Sequence, residues 1–263
     1  MMTSPGAVAF TLGPLTVRWY GILMASAIAL GLWLAHRRAR SEHLPADDIV
    51  SAAQWSVVAG LIGARAWEVV FNWDYYGQHP AKIIAVWEGG LAIHGGLIAG
   101  LLVGAGLAAR WHLPVFRSLD VAAPSLSLGQ AIGRWGNFFN EEAFGQPTDL
   151  PWKLYISPAH RPPGYATYDH FHPTFLYESA WDLAVFAALV WLLRPRLRAQ
   201  PGALCFWYIG LYSVGRFAIE GVRLDSFWVA GFRVAQLASA VGIVIAAAGL
   251  IWTHRRARDA AGL

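Results

Sequence analysis

The chain has 263 residues, of which 56% are hydrophobic and only 14% are charged. Its mean hydropathy of +0.42 lies above the range of soluble globular domains and indicates an integral membrane protein. The formal net charge of +4 does not indicate a nucleic-acid partner, because the basic residues are spread over short segments beside apolar stretches, a pattern that reflects membrane topology.

Apolar stretches of about 20 residues predict transmembrane helices. Basic clusters follow the first, third, fifth and last of these stretches, whereas few lysines and arginines flank the opposite ends. The positive-inside rule therefore places the C-terminus in the cytoplasm and the N-terminus outside, as an odd number of crossings requires. The sequence predicts an all-α fold, a polytopic membrane protein formed by a single integral-membrane domain over residues 1–263. The seven predicted helices lie near residues 15–36, 48–71, 88–109, 119–139, 174–193, 202–221 and 232–252.

The first apolar run, from Leu15 to Ala35, is too long for the h-region of a signal peptide, and its basic cluster follows it. We expect it to remain as a membrane helix. The one long connection covers residues 140–172, between the fourth and fifth helices. Its prolines argue against a regular helix, so we expect an extracytoplasmic loop or a small head there.

Four arginines, Arg18, Arg65, Arg134 and Arg216, lie in or at the ends of the predicted helices, each near the outer edge. A cation in hydrocarbon costs about 2.5 kcal/mol or more, so such residues usually mark a functional site. Their common depth predicts an anionic ligand. The inner halves of the helices carry few polar groups, which favours a cavity open to the outer leaflet over a channel or a midplane carrier. Further polar residues at the same depth are Tyr20, Glu68, His94, Asn137, Asn140, Glu178, Tyr212 and Glu220.

The sixth predicted helix carries Tyr212, Arg216, Glu220 and Arg223 at spacings that place them on one face. A structural ion pair and a functional role are equally good interpretations of Glu220 and Arg223. For Arg216 and Arg134 we favour a functional role, because the sequence offers too few nearby acids to neutralise every arginine. A bound phosphate would supply the missing charge, and its geometry suits bidentate guanidinium contacts.

His94 is followed by Gly95 and Gly96, which allow close approach to the helix backbone. We therefore favour a catalytic or substrate-contacting histidine over a packed core residue. The other histidines lack carboxylate or cysteine neighbours at the spacing of metal ligands. No nucleotide-binding motif is present either, so we expect no metal and no cofactor. Cys205, the single cysteine, is interpreted as a packing residue in an apolar run.

The segment from Gly133 to Gly145 reads G-R-W-G-N-F-F-N-E-E-A-F-G. It resembles the signature G-R-x-G-N-F-x-N-x-E-x-x-G of the prolipoprotein diacylglyceryl transferases at every fixed position. The resemblance extends from about Val17 to Arg223. It departs locally at Ala99, where a glycine is often found, and at Phe175, where a glutamine is usual. Supporting matches are Arg18-Trp19-Tyr20-Gly21, His94-Gly95-Gly96, His172-Pro173-Thr174, Leu176-Tyr177-Glu178 and Gly215-Arg216-Phe217.

The resemblance implies transfer of the sn-1,2-diacylglyceryl group from phosphatidylglycerol to the lipobox cysteine of a preprolipoprotein signal peptide. Glycerol phosphate is released and a thioether is formed, at the outer leaflet of the bacterial cytoplasmic (inner) membrane. We then expect Arg134 and Arg216 to bind the phosphate and His94 to act as general base, although a thiolate stabilised by arginines would not need one. The full set of expected substrate-binding residues is Tyr20, Arg134, Asn137, Asn140, Glu142, Gly145, Tyr212, Arg216, Glu220 and Arg223.

Within this set, Asn137 and Tyr20 are expected to donate hydrogen bonds to the head group or glycerol. Gly145 is expected to shape a turn more than to contact substrate, and Glu142, together with Glu178, to orient arginines or to pair with them structurally. Two alternatives compete with this interpretation; the nearly apolar inner halves of the helices argue against the first, and only the signature resemblance excludes the second. One is a transporter or receptor that binds a small anion or phospholipid without chemistry, and the other is a transferase that uses phosphatidylglycerol with a different acceptor.

Overall fold

The computed structural model describes residues 1–13, 15–86 and 89–260. Most of this part of the chain is helical. A π-helical segment, Ala188–Leu193, joins two of the helices, and short 3-10 helices cover Pro80–Ile84 and Pro158–His160. The α-helices in the described ranges are α1 (Trp19–Ser41), α2 (Ala46–Phe71), α3 (Trp73–Tyr76), α4 (Ile93–Arg110), α5 (Val115–Asn140), α6 (Thr174–Ala187), α7 (Arg194–Leu197), α8 (Ala203–Glu220) and α9 (Val234–Ala260).

Each of the seven predicted helices corresponds to a helical segment. The first begins at Trp19 and not at residue 15, because the four preceding residues pair as a β-strand. The third was predicted from Glu88, which lies outside the described residues, and its helix begins at Ile93. Five segments of the described chain are long and apolar enough to cross a membrane: α1, α2, α4, α9 and the continuous stretch Thr174–Leu197. The protein is therefore a polytopic, mostly helical membrane protein.

Helices α5 and α8 do not belong to those five because they carry more polar side chains. Arg134, Asn137 and Asn140 lie on α5, whereas Arg216 and Glu220 lie on α8. These are the residues from which the sequence predicts the site. The polarity that lowers the hydropathy of the two helices is thus the same signal from which the sequence predicts a site on them.

Short strands accompany the helices. A three-stranded sheet has the order β1-β4-β5, with β1 parallel to β4 and β4 antiparallel to β5. The pairs β2–β3 and β6–β7 are antiparallel hairpins. The strands are β1 (Met2–Thr3), β2 (Val8–Leu12), β3 (Leu15–Arg18), β4 (Leu154–Tyr155), β5 (His170–Phe171), β6 (Trp228–Val229) and β7 (Phe232–Arg233).

Residues 140–172 form a small folded head with an apolar core of its own. Phe144, Leu154, Ile156 and Phe171 are buried together, and Phe175 from the first turn of α6 completes the cluster. Because β1 pairs with β4, the N-terminus is tied into this head. The long connection thus holds the end of α5 against the start of α6.

The chain forms two compact units, residues 1–31 with 119–263, and residues 32–118. In the second unit α2 and α4 touch along their backbones. A Cβ added at Gly95 would lie 2.3 Å from the carbonyl oxygen of Gly63 and 2.4 Å from Trp67 Cβ. Small residues at this spacing allow such contact, which lipid-embedded helices use for packing.

In the first unit, side-chain hydrogen bonds lock α5, α6 and α8 together. Ser127 on α5 donates to the carbonyl oxygen of Asp182 at 2.7 Å. Ser179 on α6 donates to the carbonyl oxygen of Ala131 at 2.8 Å. Tyr208 on α8 donates to Gln130 Oε1 at 2.8 Å. The polar residues of these three helices are thereby held in fixed register.

The end of α5 has a distinctive backbone. Glu141 has a positive φ of 52°. The amide of Glu142 donates to Asn137 O and that of Glu141 to Phe138 O, which together form a Schellman motif. Glycine is favoured at this left-handed position, and another residue there costs about 1–2 kcal/mol. An identical hydrogen-bond pattern ends α1 at His43 and α4 at His112.

Candidate active site

A network of arginines and carboxylates joins α5, α6 and α8 in the first unit. Glu178, with only 4% of its side chain exposed, lies at the centre. Its Oε1 accepts hydrogen bonds from Arg216 Nη1 at 2.6 Å and Arg223 Nη1 at 3.1 Å. Its Oε2 lies 3.0 Å from Arg134 Nε. One buried carboxylate therefore organises three guanidinium groups, which compensates for much of the cost of burying it.

Two more acids complete the network. Glu220, which is also buried, lies 2.7 Å from Arg216 Nη2, one helical turn away on α8. Asp225 accepts two hydrogen bonds from Arg223, at 2.9 and 2.6 Å. Three arginines thus face three carboxylates. We expected too few nearby acids to neutralise every arginine; in this network the fold supplies Glu178 from α6 as a shared partner of all three.

Arg134 differs from Arg216 in what remains available on its guanidinium. Both terminal nitrogens of Arg216 are engaged by carboxylates. Arg134 uses only Nε for Glu178, and within the described part of the chain no hydrogen bond engages its two Nη atoms. Because 23% of its side chain is exposed, these Nη groups are free to donate to an incoming anion.

Three polar side chains gather at the end of α5 around Glu142. Its Oε1 accepts hydrogen bonds from Asn137 Nδ2 at 3.0 Å and Asn140 Nδ2 at 3.2 Å. Tyr20 lies within electrostatic range of both Glu142 and Arg134. The structure therefore brings four of the candidate residues, Tyr20, Asn137, Asn140 and Glu142, together near Arg134.

Gly145 docks the chain after α5 onto neighbouring segments. It forms an isolated β-bridge with Arg223, and its amide donates to the carbonyl oxygen of His172 at 2.9 Å. A Cβ there would lie 2.7 Å from the carbonyl oxygen of Val222. Its φ is not positive, so glycine is needed here for close packing and not for a left-handed backbone.

Tyr212 lines a narrow crevice of about 10 Å³ between α5, α6 and α8, together with Arg134, Arg216 and Asp182. This space holds one water molecule at most. A phospholipid head group must therefore approach from a wider opening or move these side chains apart.

A wider cavity of about 800 Å³ opens beside the head. Arg18, Asn140, Glu142, His160 and Asp225 are among its lining residues. Its volume falls within the range of ligand-binding clefts. It is bordered by members of both groups described above, the amide cluster around Glu142 and the arginine network through Asp225.

The carboxylate of Glu141, which also lines this cavity, is anchored by the 157–160 segment. Its Oε2 accepts hydrogen bonds from the Ser157 amide at 3.0 Å, from Ser157 Oγ at 2.5 Å and from His160 Nδ1 at 2.7 Å. Burial, the strongest influence on this carboxyl, raises its pKa, but the hydrogen bonds from Ser157 and His160 outweigh burial and lower the pKa below its ordinary value.

His94 and Arg65 belong to the second unit. His94 is exposed on the first turn of α4, with its ring 6.3 Å from that of Trp67. Arg65 is buried, donates to the carbonyl oxygens of Ile83, Gly89 and Gly90, among others, and stacks on a tyrosine ring. Arg65 therefore braces the chain before α4 through backbone carbonyl oxygens.

Comparison with known proteins identifies the family. The model of the family described as prolipoprotein diacylglyceryl transferase matches residues 7–252. The chain belongs to the prolipoprotein diacylglyceryl transferase family. The resemblance carried by residues 133–145 is thereby confirmed, and it extends to nearly the whole chain.

Curated relatives of the family are similar over almost their full length. A protein of Trichormus variabilis named phosphatidylglycerol–prolipoprotein diacylglyceryl transferase is 47% identical over 262 residues, covering 98% of this chain and 93% of the relative. Relatives of the same name are 50% identical in Parasynechococcus marenigrum, covering 97% and 96%, and 46% identical in Gloeobacter violaceus, covering 97% and 95%.

Sequence reasoning missed three acids of this transferase-family site. Asp225 lies only two residues beyond Arg223, and Asp182 lies one helical turn beyond Glu178 on the same face. Both could have been found from that spacing. Glu141 could not, because its partners Ser157 and His160 are distant in sequence and come together only when the head folds.

Gly136 in the family signature offers a test of how tightly Tyr20 is held. A Cβ at Gly136 would lie 2.3 Å from Tyr20 Cδ2, so we expect Gly136→Ala to displace the tyrosine ring and to destabilise the protein by about 1–3 kcal/mol. Gly129→Ala on the same helix is a matched control, because nothing lies within 4 Å of its added Cβ. Thermal unfolding in detergent should show a lower Tm for Gly136→Ala and an unchanged or higher Tm for the control. Equal Tm values for the two variants would contradict the packing described here.

Proposed function

We propose that this protein transfers the sn-1,2-diacylglyceryl group from phosphatidylglycerol to the cysteine thiol of prolipoproteins. The relatives that cover nearly the whole chain carry the name of this activity. The observation that supports it in the structure is Arg134, whose Nε lies against Glu178 while no hydrogen bond within the described residues engages its two Nη atoms. Asn140 and Glu142, from the end of the same helix and the residues just after it, line a cavity of about 800 Å³, which is large enough for a lipid head group.

The reaction is a displacement at an sp3 carbon. The cysteine sulfur of the acceptor attacks the glyceryl carbon that bears the phosphate, a C–S bond forms, and the C–O bond to the phosphate breaks. The electron pair of that bond leaves with the glycerol phosphate, and the thiol proton is removed to a base or to the departing phosphate. The site must therefore favour a thiolate and stabilise the charge that develops on the phosphate.

Arg134 carries the second of these tasks in our proposal. Its Nη atoms are free to donate to phosphate oxygens, while its Nε stays fixed by Glu178. Arg216 is held in place by Glu178 and Glu220 and adds positive potential next to the same site. Preorganised donors of this kind need no rearrangement as charge develops, which is why they accelerate the reaction.

The cluster around Glu142 supports a head-group role for the end of α5. Asn137 and Asn140 each use one N–H for Glu142, and each amide retains a second N–H for a glycerol hydroxyl. Tyr20 supplies a phenol at the same place. The remaining predicted residues support these contacts: Gly145 and Arg223 hold the chain after α5, Glu220 orients Arg216, and Tyr212 lines the crevice beside it.

We assign His94 as the general base toward the acceptor thiol, supported by its exposed ring and the glycines that follow it. His94→Gln keeps a hydrogen-bonding side chain but cannot take up the proton, so turnover should fall by about two decades at saturating phosphatidylglycerol. Steady-state kinetics with a lipobox peptide would measure kcat and the KM for the lipid. An unchanged kcat would remove His94 from the mechanism and leave the phosphate assignment intact.

The topology follows from the charge distribution. We place seven helices across the bacterial cytoplasmic membrane, with the N-terminus and the 140–172 head outside and the C-terminus in the cytoplasm. Eleven arginines follow the first, third, fifth and last predicted helices, which supports this orientation. The site then faces the outer leaflet, where phosphatidylglycerol presents its phosphate at the depth of Arg134.

The function is tested directly with purified protein, phosphatidylglycerol and a lipobox peptide. We expect a peptide mass gain equal to one diacylglyceryl group, with stoichiometric release of glycerol phosphate. A peptide in which serine replaces the cysteine should gain nothing. If the protein binds phosphatidylglycerol but never consumes it, the site only binds lipid, and the transferase proposal fails.

A further inference from the structure

Glu141 occupies a backbone position that a glutamate rarely adopts. It is the residue just after α5, in the left-handed region at φ 52°, within the Schellman motif that ends the helix. Glycine suits this position because it has no Cβ to clash with the backbone. The glutamate side chain therefore carries a steric cost of about 1–2 kcal/mol at this position, which a favourable contact elsewhere in the fold can offset.

The anchor on the head provides this compensation. One carboxylate oxygen of Glu141 accepts three hydrogen bonds, two from Ser157 and one from His160. Only 10% of the side chain is exposed. His43 and His112 hold the same position at the ends of α1 and α4, and within the described residues no hydrogen bond to either side chain is present. The anchored side chain therefore distinguishes the end of α5.

The conformation of Glu141 decides where the next residue goes. A right-handed residue would continue the helix and carry Glu142 away from the last turn. The left-handed residue instead folds the chain back, so that the Glu142 amide donates to the carbonyl oxygen of Asn137 at 3.0 Å. The Glu142 carboxylate then meets the side-chain amides of Asn137 and Asn140.

We propose that Glu141 is a positioning residue for diacylglyceryl transfer, whose carboxylate, anchored by Ser157 and His160, keeps Glu142 folded back against Asn137. The inference rests on the function proposed above. Glu141 contacts neither the phosphate nor the thiol in this account. It acts by fixing how Glu142 meets Asn137 and Asn140. That geometry therefore depends on the folding of the 140–172 head.

Two substitutions separate the anchor from the backbone. Glu141→Ala removes the anchor and keeps the steric cost of a Cβ, so the KM for phosphatidylglycerol should rise by about tenfold with less than about threefold change in kcat. Glu141→Gly removes the anchor and the steric cost together, so its KM should stay within about threefold of the unaltered protein. A substitution that only lowered the fraction of folded protein would reduce the apparent kcat and leave KM unchanged.

His112→Gly is the matched control, since it introduces glycine at the corresponding position of α4, where the exposed side chain has no hydrogen bond within the described residues. Its kinetics should be unchanged. Equal KM values for Glu141→Ala and Glu141→Gly would overturn the inference, as would an unchanged KM for Glu141→Ala. Peptide conversion by the unaltered protein distinguishes the two proposals. If the unaltered protein converts no peptide, the transferase function is refuted. If it converts the peptide and Glu141→Ala has an unchanged KM, only the positioning role is refuted.

If Glu141→Ala does not fold, single substitutions of the residues that anchor Glu141 test the positioning role instead. Ser157→Ala and His160→Ala each remove part of the anchor and leave Glu141 in place. Each should raise the KM for phosphatidylglycerol by about threefold, which corresponds to the loss of a fraction of the hydrogen bonds. An unchanged KM in both folded variants would overturn the inference.

Discussion

Replacing Arg134 by alanine is expected to slow diacylglyceryl transfer by about two to three decades while the protein remains folded. The reason is that the Nη atoms of Arg134 face no protein acceptor within the described residues and are free for the phosphate. Glu178 keeps its contacts with Arg216 and Arg223 when Arg134 is removed, so the network loses only one of its ion pairs. Initial rates with a lipobox peptide, together with Tm, would measure both effects.

Arg256→Ala provides the control for loss of a cation, because Arg256 lies near the end of α9 and stacks on Trp252. This variant should retain the full transfer rate. Arg134→Lys should recover little activity, since an ammonium lacks the planar pair of donors that matches phosphate. Full activity of Arg134→Ala would show that the phosphate is bound elsewhere.

Replacing Glu178 by alanine is expected to destabilise the protein by about 3–5 kcal/mol and to abolish transfer. The carboxylate contacts three guanidinium groups at distances from 2.6 to 3.1 Å, and only 4% of its side chain is exposed. Its removal leaves one buried and two partly buried guanidinium groups that repel one another and have lost their shared partner. Glu178→Gln keeps the shape without the charge, so it should lose most of the same stability.

Asp225→Ala is the matched control for Glu178→Ala, because Asp225 also pairs with Arg223 but has 49% of its side chain exposed. Exposed ion pairs contribute about 0–1 kcal/mol, so the Tm of this variant should be close to that of the unaltered protein. Thermal unfolding in detergent would measure the Tm of both variants. A Glu178→Ala variant as stable as Asp225→Ala would contradict the central place of Glu178 in the network.

The helices were predictable because hydropathy reports the long apolar stretches directly. Their ends were less so. The start of α1 was placed at Leu15, yet Leu15–Arg18 pairs with β2, and hydropathy cannot distinguish an apolar strand from the first turn of a helix. The extension of the last helix to Ala260 was also missed, because its final turns are charged and polar.

The site was predictable where its residues share one segment. Asn137, Asn140 and Glu142 lie within six positions, and the structure brings them together. The pairing of Glu178 with arginines on two other helices depends on how α5, α6 and α8 pack, and no spacing in the sequence reveals it. The partners of Arg65 could not be predicted either, because they are backbone carbonyls that any sequence would supply.

In the proposed reaction, Arg134 stabilises a phosphate that leaves as carbon is transferred to sulfur. Phosphatidylglycerol that carries heavy oxygen in the bridge between the diacylglyceryl carbon and phosphorus reports which bond breaks. We expect all of the label to be released in glycerol phosphate, the peptide to gain an unlabelled diacylglyceryl group, and Arg134→Ala to lose both products together. Label retained on the lipid-modified peptide, or release of glycerol phosphate without any modified peptide, would contradict it.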